Sequence, residues 1–193
     1  MPRVLTAFLL IGLLASGPTV ALAEQVSLVF GGDSYAAGQN ASIVTPVAHD
    51  AFMAGYSIAL TAPVTGDAHL AGYNVGASSS IGGDLYAAGY AVTISGSVGG
   101  DVTAVGNSVL LQATSALPGN ARLAGQTVLV DAPIQGSAIT SAETLTLNSA
   151  ISGDFTFYGR TLTFGPNAVV AGKVAIHAPR RSPFHRLSRR PTE

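Results

Sequence analysis

The residues of this chain best placed to do chemistry are carboxylates on a fixed beat. Asp33, Asp50, Asp67, Asp84 and Asp101 lie seventeen residues apart, and Asn120, Ser137 and Asp154 continue the series with one interval of nineteen. If the positions stack, such a column could chelate a divalent cation, or each member could cap a turn by accepting a backbone N–H. Neighbouring unit charges about 4.8 Å apart in water repel by about 1 kcal/mol before salt screening. A carboxylate accepting a backbone N–H contributes about 1.5–3 kcal/mol. Capping alone therefore offsets the repulsion. Asn120 and Ser137 cap turns equally well but ligate cations poorly, and the glycine-rich nonapeptide of calcium-binding β-rolls is absent. The column reads as turn-capping, with no metal or other cofactor expected.

Two further sets of residues could recognise a ligand. Tyr56, Tyr73 and Tyr90 recur on the same beat, one place after a glycine. They could offer an exposed surface to a glycan or a partner, or could simply stack on one another. The histidines His49, His69, His177 and His185 assemble no metal triad or catalytic dyad by spacing, and no nucleophile motif surrounds the serines and threonines. The expectation is a protein that is not an enzyme.

The elements that position these columns follow from the same beat. Glycines stand five residues after the column at Gly38, Gly55, Gly72, Gly89, Gly106, Gly125 and Gly159, with Ala142 replacing one. Between the markers the apolar residues alternate, as in Val98, Val102, Ala104, Val109 and Leu111, which is the period of strands. A helix would have to survive a glycine or proline every few residues. Counted from the Asp, the inward positions are one, three, eight, ten and fourteen. Both departures from seventeen add two residues at the same place, between Leu111 and Leu117 and between Phe164 and Val170, so that insertions sit at a corner. The predicted fold is all-β: a parallel β-helix solenoid of triangular coils of about seventeen residues, with three short strands per coil. Eight to nine such coils make a rod of roughly 40 Å.

The ends of the chain differ from this body. Arg3, the apolar run Val4 to Leu14 and Ala21-Leu22-Ala23 read as a signal peptide over residues 1–23, implying export to the periplasm or cell envelope. The chain has no cysteine, so stability must come from the stacked core rather than disulfides. Residues 24–177, the β-helix domain, carry nine acids and three bases for a net charge of minus six. Residues 178–193 reverse the sign through Arg180, Arg181, Arg186, Arg189 and Arg190. With three prolines this segment reads as an unstructured basic tail, suited to an anionic membrane surface, a wall polymer or the acidic body of a neighbouring molecule. Nucleic acid is not an expected partner of an exported chain with an acidic body.

The phrase Val98-Gly99-Gly100-Asp101-Val102-Thr103-Ala104-Val105-Gly106-Asn107-Ser108-Val109-Leu110-Leu111 resembles the core of the bactofilins, polymer-forming bacterial cytoskeletal proteins, over roughly residues 26–177. The resemblance implies a right-handed β-helix that associates end to end into nucleotide-free filaments serving cell shape or envelope organisation. Typical bactofilins are cytoplasmic, so the export signal points to an envelope-associated relative. Open solenoid ends give an independent reason for self-association, since each exposes a strand edge and an apolar cross-section. The residues expected at these ends are Val26, Leu28 and Phe30 in the first coil and Phe155, Phe157 and Phe164 in the last. On that reading an arginine at position 157 leaves a folded monomer that cannot assemble. The alternative is a monomeric exported solenoid, an adhesin-like scaffold that presents its Tyr column or basic tail to glycan, wall or a protein partner.

Overall fold

A computed structural model describes residues 25–178; the segment read as a signal peptide and the tail beyond Ala178, with its five arginines, lie outside the described residues. These residues form an all-β solenoid of about 8 turns. Its strands are β1 (Val26–Phe30), β2 (Asp33–Ile43), β3 (Ala51–Leu60), β4 (Ala68–Ala77), β5 (Leu85–Ile94), β6 (Val102–Leu111), β7 (Ala121–Val130), β8 (Ala138–Leu147), β9 (Ala150–Ile151), β10 (Phe155–Phe164), β11 (Val169–Val170) and β12 (Val174–His177). One sheet runs β1-β2-β3-β4-β5-β6-β7-β8-β10-β12, and every pair from β2 onward is parallel and one repeat apart.

The three sides of a coil are unequal. Each ten-residue strand covers two of them, with the bend at the glycine: the ladder pairs Gly55 with Gly72 and resumes at Ser57 with Asn74, skipping the tyrosine between. A Cβ added at Gly72 would lie 2.6 Å from the Gly55 carbonyl oxygen of the coil beneath, which explains the preference for glycine at this corner. The third side shrinks to single bridges, Val47↔Val64↔Ile81↔Val98 and Leu117↔Ile134↔Ile151, and two places before the bridge it buries only small residues such as Ala62 and Ala132. Across the first insertion the ladder holds through the Val98 N–H to the Ala116 carbonyl at 3.0 Å, while buried Ser115 donates its hydroxyl to the Ile94 carbonyl at 3.0 Å. The extra residues stay at the corner, as the spacing predicts.

Inward positions form one continuous core from Ala36 to Phe157. The stack Leu60, Ala77, Ile94, Leu111, Val130, Leu147 is fully buried, and each Leu, Ile or Val so placed contributes about 1.5–3 kcal/mol over its exposed state. Among the described residues the only buried polar side chains are Ser115, Thr140 and Ser149, and no buried side-chain N or O lacks a hydrogen-bond partner.

Both ends depart from the expectation that they are ordinary coils. Val26, Leu28 and Phe30 are not part of a parallel first coil. They belong to β1, which turns back at Gly31 (φ 64) and Gly32 (φ 96) and pairs antiparallel with β2, the positive φ values being those a tight hairpin turn requires. At the other end Phe155 and Phe157 are each 1 % exposed, because β12 lies over them and pairs Val174 with Phe155 and Ile176 with Phe157. They are core residues and not tip residues. Phe164, over which no described strand lies, is half exposed.

Candidate functional site

The carboxylate column is a hydrogen-bond ladder. Asp50 donates its N–H to Asp33 Oδ1 at 3.2 Å, and Asp67, Asp84, Asp101 and Asn120 donate in turn to the Oδ1 below at 2.8, 2.7, 2.8 and 2.8 Å. Asn120 Oδ1 and Ser137 Oγ carry the pattern on, and Lys173 donates its N–H to Asp154 Oδ1 at 2.8 Å. One oxygen of each carboxylate is thus committed to the backbone of the next coil. No group of three or more His, Cys, Asp or Glu that could hold a metal ion occurs among the described residues.

The second oxygens meet different neighbours. Tyr35 and Tyr86 donate their hydroxyls to Oδ2 of Asp33 and Asp84, both at 3.2 Å, and Arg122 donates to Oδ2 of Asp101 at 2.9 Å. Among the described residues Oδ2 of Asp50 and of Asp67 accept nothing. The carboxylate bond raises the Tyr86 phenol above its ordinary pKa. Asp101 is held below the usual carboxylate range, chiefly by the Asn120 N–H and further by Arg122, against an opposing push from burial. A lowered folded pKa contributes stability that is present above the unfolded value and lost as pH falls through the folded one. Asp101's share should therefore persist from neutral pH down to about 4 and fade only in stronger acid, which urea titrations at pH 7, 5 and 3 will show.

Capping and cation binding make different predictions for a single atom. Asp67→Asn keeps an Oδ1 acceptor, as Asn120 does naturally, and should leave the urea midpoint nearly unchanged. Asp67→Ala strips the acceptor from the Asp84 N–H and should cost about 1 kcal/mol, the low end for a lost partner because the corner is half exposed and water can substitute.

Tyr56, Tyr73 and Tyr90 stack as an exposed column, with centroids 4.9 and 4.7 Å apart and planes within 4°. The sequence reading missed a second column. Tyr35, Phe52, His69 and Tyr86 stack at 5.0, 4.8 and 5.0 Å, two places after the Asp in each coil. Its signal was the common beat, which a search for histidine pairs overlooks: His69 belongs with aromatics. Near the C-terminal tip Tyr158 stacks on His177 at 4.5 Å. Within each column the facing sides of adjacent rings are occupied by one another, which leaves chiefly their edges to a ligand.

Between the two columns run Ala37, Ala54, Ala71 and Ala88, all exposed. The small side chains leave shallow apolar grooves, one against Val26, Leu28, Tyr35 and Phe52, the other against His69, Tyr86, Thr103 and Val105. The sheet face of the first coils therefore carries a carboxylate row, an aromatic row, an alanine floor and, past the corner, the tyrosine row.

The tips are the other candidate surfaces. Val174 and Ile176 occupy inward positions of an unfinished coil and are 48 % and 51 % exposed, alongside Phe164 and Val169. At the opposite tip Val26, Leu28, Val29 and Phe30 are all exposed. In comparisons with protein-family models, curated proteins and solved structures, nothing matches this chain.

Proposed function

We propose that this protein is a non-enzymatic, polymer-forming scaffold of the bacterial cell envelope, an exported relative of the bactofilins, that assembles end to end through the tips of its β-helix. The observation carrying this reading is the unfinished coil: among the described residues β12 pairs along one edge only, and no strand lies over its half-exposed inward side chains Val174 and Ile176. Open parallel edges with an apolar cross-section favour the docking of another strand, and β1 supplies one with an unpaired outer edge and exposed apolar residues. Light scattering across a concentration series should give a mass that grows well beyond the monomer, with filaments in electron micrographs; a constant monomer mass would reject the reading.

In this role the protein needs no cofactor and no nucleic acid. The sequence of residues 1–23 supports export, and the arginines of the tail support contact with an anionic membrane surface or wall polymer. A monomeric binding module remains the competing function, favoured by the exposed rows of Tyr56, Tyr73, Tyr90 and Tyr35, Phe52, His69, Tyr86. The consumed ring faces weigh against it, since glycans are gripped by faces rather than edges.

A further inference from the structure

We infer that the groove face of the first coils is a docking strip for residues 179–193 of the neighbouring copy in the end-on stack, an inference that rests on the end-to-end reading above. The charge of the rod is graded along its axis. From Gln25 to Ala121 the chain carries Asp33, Asp50, Asp67, Asp84 and Asp101 and not one Lys or Arg. From Val102 to Ala178 its acids Asp131, Glu143 and Asp154 are matched by Arg122, Arg160 and Lys173, with Arg160 on Glu143 at 3.3 Å.

The segment 179–193 has the chemistry this face lacks. Its five arginines match the carboxylate row, and Phe184 and Leu187, placed among them, match an apolar groove floored by alanine. One guanidinium already sits on the row within the fold: Arg122 takes the place in its coil that Tyr86 takes in another and reaches Asp101 Oδ2 at 2.9 Å. The Oδ2 atoms of Asp50 and Asp67, which accept nothing among the described residues, offer the same bond to a guanidinium arriving from outside, and such charge-assisted bonds are stronger than neutral ones.

Geometry selects the neighbour over the chain's own tail. Fifteen residues extend to at most roughly 50 Å, and the row from Asp33 to Asp84 spans only about 14 Å. A tail leaving the C-terminal tip meets Asp33 and Asp50 of the next copy first. Folding back on its own rod, it would run over the half with no net charge and meet Arg122 already seated on Asp101.

The chain has no cysteine, so single cysteines report the contact. Full-length Ala71→Cys, on the groove floor, is mixed with full-length Leu187→Cys and oxidised. The expected product is the mixed dimer, with yield falling at least tenfold when the first partner also carries Asp50→Asn, Asp67→Asn and Asp84→Asn, which keep the capping oxygen and remove the charge. Arg180→Gln, Arg181→Gln and Arg186→Gln on the second partner should cause the same loss. A mixed dimer indifferent to both sets, a cross-link formed only within a chain bearing both cysteines, or a tail peptide that binds phosphatidylglycerol vesicles but not the protein, overturns the inference. Growth in mass by light scattering without the cross-link would sink the docking strip and leave end-on assembly standing. The cross-link without growth would sink end-on assembly and, with it, the placing of this contact in an end-on stack.

Discussion

Phe157→Arg is expected to unravel the C-terminal coils rather than to yield a soluble, folded monomer. Phe157 is 1 % exposed, stacked in the core above Thr140 and beneath Ile176. Losing the ring costs about 3–5 kcal/mol, and an unpaired buried charge adds about as much again. The sum rivals the entire stability of an ordinary domain, about 5–15 kcal/mol. A solenoid spends that loss locally, since each coil touches only its neighbours. Amides of Phe155–His177 should lose hydrogen-exchange protection while those of Ala51–Leu111 keep it. Full protection throughout the variant would show that the site tolerates a charge and that its burial is misjudged.

The tip proper gives the second large effect. Val174→Asp with Ile176→Asp should leave the fold intact, because both side chains are half exposed in the isolated chain, and should hold the scattering mass at that of a monomer. Each of these residues gains up to about 1.5–3 kcal/mol only when another copy covers it, whereas a carboxylate in the joint would be buried without a partner. Val29→Asp tests the opposite tip in the same way, since Val29 is exposed and pairs with Ser34 on the inward side of the coil. If the Val174/Ile176 variant grows in mass like the parent chain, assembly runs through some other surface.

How far the sequence could be read depended on whether a feature repeats. The beat of seventeen located five inward places per coil from Ala36 to Ile151, the corner glycines and the capping column, because each is set by the same contact one coil away, but it passed over the small residues buried at place twelve, such as Ala62 and Ala132. The ends obey other rules. β1 contains Val26, Leu28 and Phe30 in the alternation of any strand, and alternation is blind to direction; Gly31-Gly32, with both φ values positive, was the hairpin signal that would have turned it antiparallel. Phe155 and Phe157 were read as tip residues for their size, yet they sit at the first and third inward positions, and Val174 and Ile176 recur nineteen residues later to cover them. The second aromatic column went unseen because its members are of three residue types, although they share one place in the coil. The strip's complementarity to the arginines emerges only once the Asp row and the alanine floor are known to share a face.

The hairpin at the first tip has a mechanical corollary. Adjoining coils are knit along nine aligned pairs, whereas a joint between β12 and β1 has at most four or five residues a side and must run antiparallel, interrupting the lattice once per molecule. Filaments of such units would be stiff lengths linked by weaker seams. Shear or dilution would then snap them at the seams, releasing whole molecules and never fractions of one.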